Sequence, residues 1–364
     1  MVLLFRRIGP RLIWLGGFAL FQILMGAGYI SSVTHVAAGF PRPAVAIFAA
    51  IAHSYLLTSS GAVAVYTVFA AIRKHLDAAT DQARRRVLNT AGGALVAAPF
   101  ATLGYGALIE RTRFEVREVD VPLARLPADL NGLRILHLSD IHLGVFLSER
   151  ELARVIDASC ELRPHIAFVT GDFISAAGDP LEACIRQLAR LKADRGTFGC
   201  LGNHERYARA ENQASGLAAQ AGIPILRAEA QQLRWGNSVL NVAGVDYQRG
   251  SSKDNYLLGA EQLVYPEGFN VLLSHNPDVF PVAARQGFDL VLAGHTHGGQ
   301  VTFEILDESI NPARFYTPYV RGLYRLRPED TSSAAYVTSG IGTIGIPARI
   351  GAPPEISLLT LRKA

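Results

Sequence analysis

Two aspartates, one asparagine and five histidines recur in short groups through the middle of the chain. They are Asp140 with His142, Asp172 after Gly171, Asn203 and His204 after Gly202, His275 after Ser274, and His295 and His297 after Gly294. No cysteine stands among them. A mixed oxygen and nitrogen donor set of this kind suits Mn, Fe or Zn rather than a soft-metal centre. One catalytic ion takes about three protein ligands and keeps an open position. At least seven convergent candidates are therefore enough for two divalent ions that share a carboxylate. Two ions about 3.5–4 Å apart activate water and stabilise both the entering and the leaving oxygen of an in-line displacement at phosphorus. The chemistry implied is hydrolysis of a phosphate ester.

Each group stands at the carboxyl end of an apolar, β-prone run: LRILHLS before Asp140, IAFVT before Gly171 and Asp172, TFGCLG before Asn203, NVLLS before His275 and DLVLAG before His295. In open α/β sheets, ligands gather outside these strand ends, so five runs deliver their polar residues to one crevice. Helical patterns from about Ser148 and Pro180 alternate with the first runs and predict a mostly parallel sheet. After Gly222 the runs SVLNVAGV, NVLLS, DLVLAG, AAYVTS and EISLLTL crowd together and predict a second sheet packed on the first. Gly171, Gly202, Gly294, Gly298 and Gly299 permit tight turns and close backbone approach. Asp179 before Pro180 reads as a helix N-cap. Four histidines read as packing or solvation: His137 inside a strand, His165 at the far end of IAFVT, and His35 and His53 in or beside apolar runs.

Three apolar runs, 12–33, 44–72 and 87–109, contain no Asp, Glu, Lys or Arg. A helix needs about 20 such residues to cross a ~30 Å hydrocarbon core, so each run predicts one transmembrane helix. Arg6, Arg7 and Arg11 precede the first run, Arg42 alone lies between the first two, and Arg73, Lys74, Arg84, Arg85 and Arg86 lie between the second and third. Positive charge marks the cytoplasmic side. The third crossing then leaves the remainder outside the cytoplasm, although Arg111, Arg113 and Arg117 run against that orientation. Two other readings of this region are a twin-arginine export signal at RRRVL and a signal peptide in the first run. The polar stretch 117–132, with Pro122 and Pro127, reads as a linker or an edge strand. The boundary falls near residue 115, giving a membrane anchor at 1–114 and a catalytic domain at 115–364.

The net charge of +4 comes from arginines that are scattered or flank the apolar runs, with no basic stripe interleaved with aromatics. That pattern excludes an evident nucleic-acid surface and fits membrane topology. Cys160, Cys184 and Cys200 lack CxxC spacing and read as free thiols packed like small hydrophobes, with one disulfide open to an extracytoplasmic domain.

The motifs D-x-H at Asp140 and His142, G-D at Gly171 and Asp172, G-N-H-E from Gly202 to Glu205, S-H at Ser274 and His275, and G-H-T-H from Gly294 to His297 occur in family order and resemble the calcineurin-like metallophosphoesterases. SHNPDVF, GHTHGGQV and the tail SGIGTIGIPARIGAPPEISLLTL are more closely similar to its bacterial membrane-associated phosphodiesterase branch. The resemblance covers about 133–361. It implies an α/β fold, a two-sheet αββα sandwich, here preceded by an all-α transmembrane segment of about three helices. It also implies one ion held by Asp140, His142, Asp172 and His297, and a second held by Asp172, Asn203, His275 and His295, with Asp172 bridging. His204 would act on the phosphoryl oxygens or the leaving group without binding metal. Glu205 orients that histidine or merely starts a helix.

The expected protein is thus a multi-pass protein of a bacterial inner or plasma membrane. It would be a two-metal phosphodiesterase acting on a phosphate ester, lipid-linked where anchoring matters. The rivals are a pyrophosphatase of lipid precursors of the UDP-diacylglucosamine type, and a catalytically silent membrane sensor or scaffold.

Overall fold

A computed structural model of the chain describes residues 20–27, 42–76, 82–249, 255–305, 308–327 and 332–364. They fall into two compact units, one of residues up to 105 and one made chiefly of residues from 106 on.

The first unit is helical. α1 (Arg42–Leu76) contains the second apolar run, and α2 (Gln82–Leu108) contains the third except for its last residue, Ile109. Stretches of 31 and 27 residues, Arg42–Ile72 and Arg86–Thr112, are long and apolar enough to cross a membrane. Among the described residues these are two such helices, against the three expected. The 12–33 run lies outside the described residues apart from 20–27, which are helical. Polar side chains inside α1 bond to their own helix: Thr58 Oγ1 donates to Ser54 O at 2.7 Å, Thr67 Oγ1 to Val63 O at 2.7 Å, and His53 Nδ1 to Ala49 O at 2.7 Å. Without water, a spanning helix has to satisfy its polar groups internally in this way.

The second unit is built on thirteen described strands. In chain order they are β1 (Glu115–Leu123), β2 (Arg134–Leu138), β3 (Ile166–Thr170), β4 (Thr197–Cys200), β5 (Glu229–Trp235), β6 (Ser238–Gly244) and β7 (Phe269–Leu273). Then follow β8 (Leu290–Ala293), β9 (Phe303–Ile305), β10 (Glu308–Ile310), β11 (Gly322–Tyr324), β12 (Ala334–Val337) and β13 (Glu355–Lys363). Sheet one has the order β1-β13-β2-β3-β4 and sheet two the order β11-β12-β8-β7-β6-β5, while β9 and β10 form a separate hairpin. β2, β3 and β4 are parallel, as are β6, β7, β8 and β12.

Side-chain alternation along the strands makes the layers. Ile135, Ile166 and Phe168 of sheet one pack with Leu240, Val271 and Leu292 of sheet two. Their neighbours Leu136, Ala167 and Val169 turn outward against Leu152, Ile156 and Ile185. These belong to α3 (Glu149–Glu161) and α4 (Leu181–Leu188). On sheet two, Leu272, Val291 and Ala335 meet Phe280 and Ala283 of α7 (Phe280–Gln286). Two short helices, α5 (Asn203–Tyr207) and α6 (Glu211–Gln220), follow β4. The two-sheet α/β sandwich is therefore as expected.

Most local details follow the sequence reading, and the role of Asp179 departs from it. The stretch 117–132 resolves into an edge strand at its start, where Pro122 removes no essential donor. Ser148 caps α3 with a full capping box, its Oγ accepting from Glu151 N–H. Asp179 does not cap α4: its Oδ2 accepts from Ser175 and Ala176 N–H at 2.9 Å each. Pro180 fixes the helix start instead, and the aspartate closes the preceding turn. Cys160, Cys184 and Cys200 are free.

Candidate functional site

The loops leaving β2 and β3 run side by side. Asp140 N–H donates to Gly171 O at 3.1 Å, His142 N–H to Asp172 O at 2.9 Å and Leu143 N–H to Phe173 O at 2.9 Å. This parallel pairing turns Asp140, His142 and Asp172 into one space. Asp140, His142, Asp172, His295 and His297 all have left-handed backbones, with φ from 50° to 74°. Asp and His tolerate this region better than most residues, yet each such position still costs about 1 kcal/mol or more. The glycines allow the close approach: a Cβ on Gly202 would collide with the Asp172 carboxylate, and one on Gly294 with Asp140 and Ser139.

All eight sequence candidates come together. Asp140, His142 and His297 form one cluster whose ligand atoms lie within 4.8 Å of one another; Asp172, His275 and His295 form another, and His142, Asp172 and His204 a third. Asn203 starts α5 beside them, and its neighbour His204 donates its N–H to Asp172 Oδ1 at 2.8 Å. The two sheets interlock here. His295 N–H donates to both Asp140 oxygens, at 3.0 and 2.9 Å.

The charges around the cluster call for a cation. His275 Nδ1 lies 2.6 Å from Thr170 O, and a carbonyl only accepts, so Nδ1 carries the proton. His275 Nε2 then faces Asp172 Oδ2 at 3.0 Å and Asp140 Oδ1 at 3.9 Å. A lone pair cannot sit stably against two carboxylates, so either a proton or a metal ion must stand between them. Burial opposes charge on His275, but Asp172 and Asp140 outweigh it and push the imidazole up to about 10. Burial likewise opposes charge on Asp172 and Asp140, and the surrounding imidazoles hold both carboxyls below their usual range. Burial lowers His142, and it takes His295 and His297 down to about 4, which keeps them neutral and able to ligate. His142 Nε2, Asn203 Oδ1 and His275 Nε2 are buried with no hydrogen-bond partner. Orphaned atoms of this kind are rare in folded proteins, and divalent ions satisfy them together. The residues fit a metal centre.

A surrounding set of residues holds the cluster. Glu205 is buried and accepts from Gly202 N–H at 2.8 Å, Asp172 N–H at 2.9 Å and Phe173 N–H at 2.7 Å. Burial, then the Asp172 charge, push its carboxyl up to about 7. It braces the G-D and G-N-H loops against each other; it does not orient the His204 ring. That task falls to Ser175, whose carbonyl accepts from His204 Nδ1 at 2.7 Å while its Oγ bonds His142 Nδ1 at 3.0 Å. On the far side, the fully buried Arg349 guanidinium donates to the carbonyls of Ser339, His297, Ala352, Gly340 and Gly342. Tyr247, three residues past β6, places its hydroxyl 3.4 Å from His295 Nε2. Sequence reasoning missed Ser175, Arg349 and Tyr247. His137 and His165 are structural as read, bonded to Thr170 Oγ1 and to Arg134 N–H at 2.9 Å each.

Comparison with known proteins places this arrangement. Residues 133–299 match the model of the calcineurin-like phosphoesterase family. A metallophosphoesterase of Aquifex aeolicus is 31% identical over 265 residues, covering 71% of this chain and 96% of the relative. A transmembrane protein with metallophosphoesterase domain from Danio rerio is 31% identical over 281 residues, which is 71% of this chain but 60% of that protein's length. Its Bos taurus namesake is 28% identical over 85% of this chain and 70% of its own. The matched region contains every strand end that contributes to the cluster, and the chain belongs to the calcineurin-like phosphoesterase family.

Proposed function

We propose that this chain is a membrane-anchored, dinuclear metal-dependent phosphohydrolase that cleaves phosphodiester P–O bonds with water. The observation that carries this reading is the buried trio of partnerless ligand atoms, His142 Nε2, Asn203 Oδ1 and His275 Nε2, set around two carboxylates. Asp140, His142, Asp172 and His297 would hold one ion and Asp172, Asn203, His275 and His295 the other. Manganese, iron or zinc all suit these donors. When bound, the ions supply a nucleophilic water at neutral pH and charge stabilisation at phosphorus.

The remaining chemistry belongs to the chain. His204 has Nδ1 committed to Ser175 O, which leaves Nε2 facing the site; as an imidazolium it would donate from Nε2 to a phosphoryl oxygen or give that proton to the leaving oxygen, returning to the neutral ring. Glu205 and Ser175 keep the carboxylates and imidazoles in place before substrate arrives, so little reorganisation is needed in the transition state.

Residues 1–114 serve as the anchor and 115–364 as the catalytic domain. The arginines flanking the apolar runs favour an extracytoplasmic site. Anchoring concentrates a lipid-linked diester or pyrophosphate in the plane of the enzyme, and such a substrate fits best. The test is metal analysis and hydrolysis with the full-length, manganese-loaded protein. Two ions per chain and turnover of a chromogenic diester are expected, whereas stoichiometric metal without hydrolysis of any ester refutes the enzymatic reading.

A further inference from the structure

Between Ser309 and Arg327 the chain carries Arg314, Arg321, Arg325 and Arg327, the aromatics Phe315, Tyr316, Tyr319 and Tyr324, and no aspartate or glutamate. At its tip, the single 3-10 turn Pro312–Phe315 leaves Phe315 89% exposed and the adjoining Tyr316 82% exposed. Just before it, Phe303 and Ile310, register partners across the β9–β10 hairpin, are 49% and 55% exposed. Large apolar side chains are seldom left this bare in a cluster without an interaction to explain it.

The tip is pinned at both ends. Asn311 is buried, its Oδ1 accepts from Arg314 N–H at 3.2 Å, and it packs so close to Gly299 that a Cβ there would collide with it. At the other end, Thr317 Oγ1 donates to Asp278 Oδ1 at 2.6 Å, and Thr296 Oγ1 donates to Val320 O. Thr296 and Gly299 bracket His297, and Asp278 lies three residues beyond His275. The loops that carry the site histidines therefore hold the aromatic tip.

We propose that this tip docks into the headgroup layer of an anionic phospholipid bilayer, with Phe315 and Tyr316 inserted. The inference rests on the membrane-anchored reading above and deepens it, because docking brings lipid to the loops of the site. Exposed aromatics on the 309–327 stretch, which has four arginines and no acid between the flanking Glu308 and Glu329, have the composition of an interfacial membrane contact. The apolar stretch Arg86–Thr112 ends two residues before β1, so the chain bearing the tip is tethered to a bilayer by a very short connection. Those two facts favour lipid over a protein partner.

The test uses the full chain in proteoliposomes of phosphatidylcholine with phosphatidylglycerol. Phe315→Trp is read as the difference from the parent protein, which carries Trp14 and Trp235. The new indole should emit at shorter wavelength, be quenched by bromine-labelled lipid and be shielded from acrylamide. Removing the phosphatidylglycerol should weaken the shielding. Free quenching by acrylamide with no response to brominated lipid overturns the proposal, as does shielding indifferent to anionic lipid. Protection found only in native membranes, and absent from lipid alone, also overturns it and makes a protein the occupant. Replacing both Phe315→Asp and Tyr316→Asp should lower kcat/KM for a lipid-borne diester roughly tenfold and leave a soluble diester unchanged. Because the fluorescence is read without substrate, failure of docking and failure of the lipid-substrate reading give different results.

Discussion

The two sheets contribute to the site unequally. Sheet one supplies both carboxylates and the amide, through Asp140, Asp172 and Asn203, together with His142 and His204, whereas sheet two supplies imidazoles alone, His275, His295 and His297. Sheet one's loops are braced locally by Glu205 and Ser175. Sheet two's histidines take much of their position from sheet one: His275 leans on Thr170 O and His295 N–H on Asp140. The negative charge is thus built into one layer, and the second layer brings its three imidazoles to it. The centre is assembled by tertiary structure.

The largest effect should follow from the residue that both ions would share. Asp172→Asn is expected to abolish hydrolysis and empty both metal positions, while His295→Ala, on sheet two, should leave one ion per chain. Plasma-emission metal analysis of the purified variants measures this directly. Loss of both ions from His295→Ala would break the contrast between the sheets.

His204→Ala comes next. With Nδ1 tied to Ser175 O, the ring's other nitrogen is its working end, and its removal should cut turnover roughly 10²-fold with both metals retained. Retained turnover would show that His204 does no chemistry, and lost metal would recast it as a ligand.

Arg349→Met sharpens the sheet-two side of the comparison. Removing the guanidinium strands five buried carbonyls, including that of His297, and a loss of about 3–5 kcal/mol in unfolding free energy is expected. Denaturant melts with excess manganese measure it. A loss below about 1 kcal/mol would mean that Arg349 does not hold the His297 loop.

How far these features were legible in the sequence depended on locality. Each principal strand was a mainly apolar run followed by a glycine or serine and then a polar residue, so Asp140, Asp172, Asn203, His275 and His295 could be placed at strand ends from pattern alone. β5 was invisible, because an exposed edge strand reading EAQQLRW has no apolar run, and β9, β10 and β11 are only three residues each. Asp179 misled because Asp-Pro is a common helix start, and its real partners, the Ser175 and Ala176 amides, depend on a turn that no local pattern announces. Arg349 drew no attention in a glycine- and proline-rich tail, since its acceptors are gathered from positions 297 to 352 by the fold. Tyr247 did have a signal. β6 lies beside β7 in parallel, so its carboxyl end opens on the same crevice as that of β7, and the strand-end rule applied there would have reached Tyr247.

Tyr247 carries the smallest and most discriminating prediction. Its hydroxyl stands 3.4 Å from His295 Nε2, at the long end of hydrogen bonding, and its ring centre lies 5.3 Å from that of His295. A partner of this kind fixes the orientation of an imidazole and leaves its other nitrogen for an ion. Its effect should therefore fall on metal affinity, not on the chemical step. Tyr247→Phe keeps the ring packing and removes only the hydroxyl. It is expected to raise the manganese concentration needed for half-maximal activity about tenfold, while kcat at saturating manganese stays within about twofold of the parent. His295 is otherwise held through its backbone N–H on Asp140, so losing even a long side-chain hydrogen bond should be felt there. Activity titrated with manganese at fixed substrate, then with substrate at saturating manganese, separates the two roles. An unchanged manganese dependence with a raised KM would mean that the hydroxyl meets the substrate instead, and would remove Tyr247 from the supports of sheet two.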